Sequence, residues 1–157
     1  MLNQAPAKST FVIRTAFPEA SGVAFDIVTD PIQFPVIHPL ITRVVRKDDR
    51  RFVFYETASV LFFPYRFQYQ VILGYDAVNE TVSMESEVQK GLWIKLDFAF
   101  EYSNKQCFIV ENIEITGPFI ARKLLMAKIK KAHFQMFENL KRVVLQPGNN
   151  QYNYANC

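Results

Sequence analysis

The sequence predicts an α+β domain in which a curved antiparallel sheet of seven strands wraps around one long C-terminal helix. Three observations predict it. Strand-like segments fill the chain from Ile41 to Ile115, broken only by short polar or proline-bearing turns. The stretch from Pro118 to Val144 contains no internal glycine or proline, so nothing in it stops a helix. That stretch also carries one broad apolar face, which must lie against something large, and the strands before it are the only candidate.

The elements follow in order. Residues 1–8 are small and polar and read as a disordered lead. Thr10 to Phe17 alternates, with Phe11, Ile13 and Phe17 opposite Arg14, as a half-buried first strand does. Pro18-Glu19-Ala20 opens a short helix running through Val23, Ala24, Phe25, Ile27 and Val28 to Asp30-Pro31. A second short helical turn follows, kept short by Pro31, Pro35 and Pro39. Six strands come next: Arg43 to Lys47, Arg51 to Val60, Tyr65 to Tyr75, Thr81 to Val88, Leu92 to Tyr102 and Gln106 to Ile115. Their short separators require neighbours to pair antiparallel. Tyr65, Phe67, Tyr69, Val71 and Leu73 oppose Arg66, Gln68 and Gln70, and Leu92, Ile94, Leu96, Phe98 and Phe100 oppose Lys95, Asp97 and Glu101, so one face of the sheet is dry.

Gly117-Pro118 marks the start of the long helix and Pro147-Gly148 its stop. At about 100° per residue Leu125, Ile129, Ala132, Met136, Leu140 and Val143 share one arc, with Met126, Phe137 and Val144 at its edge. Lys123, Lys130, Lys131, Glu138 and Lys141 point away. Arg122 and His133 fall on the apolar side, and Phe134 on the charged side. Residues 146–157 read as a disordered tail, which leaves a single domain over residues 9–145.

Composition sets bounds. In 157 residues the chain holds fifteen Phe and seven Tyr but five Gly, so its aromatic volume needs an interior to line, whether packed core or cavity wall. The net charge of +3 is a mild bias, concentrated in the long helix. Apart from Phe134 no aromatic platform interleaves with those cations, and the strands' polar face is mixed in sign, which argues against nucleic acid. Two cysteines, Cys107 and the terminal Cys157, make no disulfide framework. With no signal-peptide-like start and no long apolar run, the expected compartment is cytoplasmic.

The order of elements over residues 9–145 resembles the helix-grip fold of the START-like, polyketide-cyclase-like superfamily (SRPBCC), which also contains the birch pollen allergen. Val23-Ala24-Phe25-Asp26-Ile27-Val28-Thr29-Asp30-Pro31 is similar to that family's first helix ending in Asp-Pro, and Ile37-His38-Pro39-Leu40-Ile41 leads into the second strand much as in relatives. The resemblance implies an apolar cavity between sheet and helix. Candidate lining residues are Phe67, Tyr69, Val71, Leu96, Phe98, Phe100, Leu125, Ile129, Met136 and Leu140, and the ligand implied is a hydrophobic small molecule or lipid.

Chemistry-bearing candidates are few. His133, at the rim of the dry helix face, is placed to bind a ligand hydroxyl or to act as an acid or base. Arg122 is placed to pair a ligand carboxylate or an acidic strand residue such as Glu111. Glu56 alternates with Phe52 and Phe54; inward it is a buried acid able to move protons, and outward it is a surface charge. His38 sits in a loop before Pro39, and two separate histidines without a placed carboxylate give no metal expectation. No cofactor is expected, since no phosphate loop, nucleophile elbow, Cys-x-x-Cys or His-Glu-x-x-His motif occurs. Val60-Leu61-Phe62-Phe63-Pro64-Tyr65 crosses a turn and is either a buried strand end or a greasy lip suited to transient membrane contact. The leading expectation is a carrier. A cyclase, dehydratase or aromatase acting through His133 with Glu56 or Tyr69 competes with it, as does a co-chaperone-like interaction domain with a filled core. Two or more convergent ionisable groups inside the cavity would mark the enzyme.

Overall fold

The computed structural model describes residues 7–17, 22–60, 63–76, 78–103 and 106–145. Residues 1–6 of the expected lead, the Pro18-Glu19-Ala20 helix start, Leu61 and Phe62 of the expected lip, and the tail at 146–157 lie outside them. Strand β1 spans Lys8–Phe17, followed by helix α1 (Gly22–Thr29), a 3-10 turn at Pro31–Gln33 and helix α2 (Phe34–Ile37). Strands β2 (Ile41–Arg46), β3 (Arg51–Val60), β4 (Phe63–Asp76), β5 (Thr81–Gln89), β6 (Leu92–Ser103) and β7 (Gln106–Thr116) lead to helix α3 (Phe119–Val144). β1 begins at Lys8, inside the segment expected to be disordered, because Lys8 pairs with Thr116 at the end of β7.

All seven strands form one antiparallel sheet in the order β1-β7-β6-β5-β4-β3-β2. Local chemistry sets the turns. Asp48 Oδ1 accepts from the backbone N–H groups of Arg50 and Arg51 at 2.9 and 2.8 Å, and Asp76 Oδ1 accepts from Val78 and Asn79 in the same way. The Asn79 side-chain amide and then the backbone donors hold the Asp76 carboxyl below the ordinary aspartate range, and the Arg50 N–H followed by the Arg51 side chain do the same for Asp48. At the corner between β7 and α3, a Cβ on Gly117 would lie 2.8 Å from Leu92 Cδ1 and 2.9 Å from the Gly91 carbonyl, at a φ of +153°. Only glycine lets the chain turn there without displacing β6.

The alternation read from sequence is the alternation of burial. In β7, Cys107, Ile109, Glu111, Ile113 and Ile115 are all buried. Helix α3 buries Arg122, Met126, Ile129, Ala132, His133, Met136, Phe137 and Leu140, and its last turn carries Lys141 and Arg142, which complement the negative end of the helix. It packs chiefly on β1 and β7, with α1 and α2 against it. Over β3 to β6 the sheet curls away from the helix and the two surfaces separate. At the far end of β6 that gap is closed by α1, where Phe25 meets Phe100 edge to face at 4.8 Å.

Candidate functional site

Where helix and sheet part, a cavity of about 760 Å³ remains. Its walls come from β3 (Phe54, Glu56, Ala58), β4 (Phe67, Tyr69, Val71), β5 (Met84, Ser86), β6 (Ile94, Leu96) and α3 (Leu125, Ile129, Ala132), with Phe34 and His38 from α2 and its exit. Exposed Tyr65, Gln89, Lys131 and Gln135 stand at its edge. Tyr65 is thus the described side chain of the expected lip, 60% exposed, and it stacks on Phe67 at 5.8 Å.

Of the residues expected on the wall, Phe67, Tyr69, Val71, Leu96, Leu125, Ile129 and His133 line this space, as does Glu56. Phe98, Phe100, Met136 and Leu140 do not: they are buried in the packed core. The reason is position along each element, because periodicity assigns a face and not the depth at which another element covers it. Arg122 is also off the wall. It is buried, its guanidinium lies 5.8 Å from the Phe119 ring, and its Nε and Nη1 have no hydrogen-bond partner among the described residues. Glu111, considered as its acid, is engaged elsewhere.

Two polar clusters break the apolar wall. In the first, Glu56 points inward, 8% exposed; its Oε2 accepts from the Tyr69 hydroxyl at 3.0 Å and its Oε1 from Lys128 Nζ at 2.7 Å. Lys128 Nζ also stands 4.6 Å from the centre of the Phe67 ring. Burial, then the adjacent Glu56 charge and hydrogen bond, push the Tyr69 phenol well above its ordinary pKa.

The second cluster joins three residues distant in sequence. His133 Nδ1 lies 2.6 Å from Glu111 Oε1, a carboxylate that is fully buried and whose Oε2 has no hydrogen-bond partner among the described residues. With Glu111 ionised, Nδ1 carries the proton and the basic nitrogen is Nε2. The His38 ring meets His133 edge-on at 5.2 Å. Its Nδ1 accepts from the backbone N–H groups of Leu40 and Ile41, both at 3.3 Å, which places its proton on Nε2. Burial first, then the His133 and Lys128 charges, hold His38 well below the ordinary histidine pKa.

The clusters are neighbours. Ile41, whose N–H caps His38, pairs with Glu56 across β2 and β3. Ionisable groups therefore converge on one part of an otherwise apolar cavity. Sequence reasoning did not assign Lys128 or His38 to the wall. Among the described residues, no cluster of three or more His, Cys, Asp or Glu side chains is placed to hold a metal ion, and no helix is long and apolar enough to cross a membrane.

No protein-family profile matches the chain, and no curated protein matches it in sequence. Solved structures do match. The Zhui aromatase/cyclase from Streptomyces sp. R1128 superimposes with a TM-score of 0.68 at 8% identity, covering 88% of this chain and 94% of its own. Norcoclaurine synthase from Thalictrum flavum, in complex with dopamine and hydroxybenzaldehyde, gives 0.68 at 13% identity over 89% of this chain and 88% of its own. A START superfamily protein from Mycobacterium smegmatis gives 0.64 at 10% identity over 86% and 96%. At such identities the likeness establishes the helix-grip fold and nothing finer.

Proposed function

We propose that this helix-grip domain binds a hydrophobic small molecule, ring-sized and carrying at least one polar group, between its curved sheet and α3. The observation that carries the reading is the cavity itself. About 760 Å³ lies within the range of about 300–1,000 Å³ common to small-molecule sites, and its wall is chiefly apolar, broken mainly by the two clusters. Apolar burial supplies affinity at about 25 cal/mol per Å², which favours an aromatic or alicyclic body. Lys128 and the Tyr69–Glu56 pair supply orientation, since a ligand oxygen that enters dry surroundings must find a partner there. A norcoclaurine synthase bound to dopamine and hydroxybenzaldehyde on the same fold supports an aromatic occupant. An interaction domain with a filled core is disfavoured by the same open volume.

The test is native mass spectrometry of protein purified from its source, followed by displacement of an apolar fluorescent probe. A co-purifying apolar compound, or saturable probe binding abolished by Ala58→Phe within the wall, supports the reading. Probe binding that Ala58→Phe leaves intact would place the probe elsewhere and overturn it.

A further inference from the structure

We propose that the cavity is also a proton-transfer site, with His133 as the base and Glu111 as the residue that positions it, acting on an enolisable cyclic ketone. The proposal rests on the ligand-binding reading above and deepens it.

The arrangement has depth as well as contact. Glu111 lies behind the wall and His133 forms part of it, so the imidazole stands between a buried carboxylate and the ligand space. Because Nδ1 is tied to Glu111, a proton arriving from a ligand must go to Nε2, and the imidazolium so formed sits against an anion that water does not screen. Here the carboxylate itself has little other employment, since its second oxygen has no partner among the described residues.

Lys128 completes the geometry. It lies five residues before His133 on α3, and both side chains line the same cavity. It spends one proton on Glu56, and an ammonium has three. A ketone seated between the two side chains would place its carbonyl oxygen at Lys128 and its neighbouring C–H at His133. The step balances without a co-reactant. His133 Nε2 takes the proton, the C–H electron pair becomes a C=C bond, and the carbonyl π pair moves to the oxygen held by Lys128. Return of the proton to carbon or to oxygen regenerates neutral His133. The titratable and charged groups around His133 are Glu111 on β7, which bonds it, His38 after α2, whose ring meets it, and Lys128 on its own helix, with Glu56 on β3 and Tyr69 on β4 beyond Lys128.

The experiment follows α-proton exchange of 2-tetralone in D₂O by NMR, with probe affinity measured separately by calorimetry on the full chain. Exchange should exceed that in equal free imidazole by on the order of 10²- to 10⁴-fold and saturate with ketone. His133→Asn should remove the acceleration. Should that variant not fold, Glu111→Gln is decisive: kcat falls about 10- to 100-fold with little change in KM, and the base limb of the pH profile moves to lower pH, which loss of packing alone would not produce. Tetralone that binds but exchanges no faster than with imidazole overturns the proton-transfer site and spares the cavity. Tetralone that fails to bind overturns this proposal, while native mass spectrometry still judges the binding reading.

Discussion

Asn139 of α3 donates through Nδ2 to the carbonyl of Ile37 at 2.7 Å, fastening the last turn of α2 to the long helix. That bond fixes the segment from which His38 enters the cavity. Asn139→Ala should lower stability by about 1 kcal/mol, read as a lower urea midpoint at unchanged slope.

Core and wall should respond differently to truncation. Phe98, fully buried, should cost about 3–5 kcal/mol as Phe98→Ala, because a new void opens in packed surroundings. Phe67 already borders open space, so Phe67→Ala should cost only about 1–2 kcal/mol while weakening probe binding. Equal losses at the two positions would contradict the cavity.

Acid should weaken the fold through His38. Its folded pKa is depressed, so near neutrality both states are uncharged there and the contribution is intact. Below the unfolded value of about 6.5 the unfolded chain takes up a proton that the native state refuses, and stability falls with pH down to the folded pKa. Denaturant melts between pH 7 and pH 5 should show this loss, and His38→Asn should flatten it.

At the alkaline end the sign is reversed. Tyr69 has a raised folded pKa, so stability is complete below about 10 and declines as the unfolded phenol ionises first. A phenolate absorbance titration of the native protein should show one late tyrosine that disappears in Tyr69→Phe.

Removing Lys128 should strand Glu56. The Glu56 side chain is 9% exposed and that of Lys128 35%, so Lys128→Met leaves a nearly buried carboxylate with only Tyr69 for support. We expect about 1–2 kcal/mol at pH 7, kept low by the water that reaches Lys128. The Lys128→Met/Glu56→Gln pair should recover most of it, and a double-mutant cycle measures the coupling.

The fold was legible because period-two alternation and an uninterrupted helical stretch leave few ways to bury so much apolar surface. Strand and helix ends fell within a few residues of those read from the text, apart from β1, which starts inside the assumed lead. The site was legible in part. His133 stood out as a polar residue on a dry face; Glu111, the one acid among Cys107, Ile109, Ile113 and Ile115, carried the same signal but was considered only as a partner for Arg122. Lys128 lies beside Ala132 at the edge of the apolar arc, a signal hidden among other lysines. His38 could not be placed, because a loop has no period and only the tertiary fold brings it to His133.

The sheet joins distant parts of its own chain: β1, the first of the described strands, finds its strand partner among the described residues in β7, with Lys8 beside Thr116 and Phe17 beside Cys107. On a ribosome, then, β1 must wait with its apolar side uncovered until almost the whole domain has emerged. Such a chain cannot complete its sheet piecemeal, and the waiting first strand is where chaperone capture or misassembly should begin.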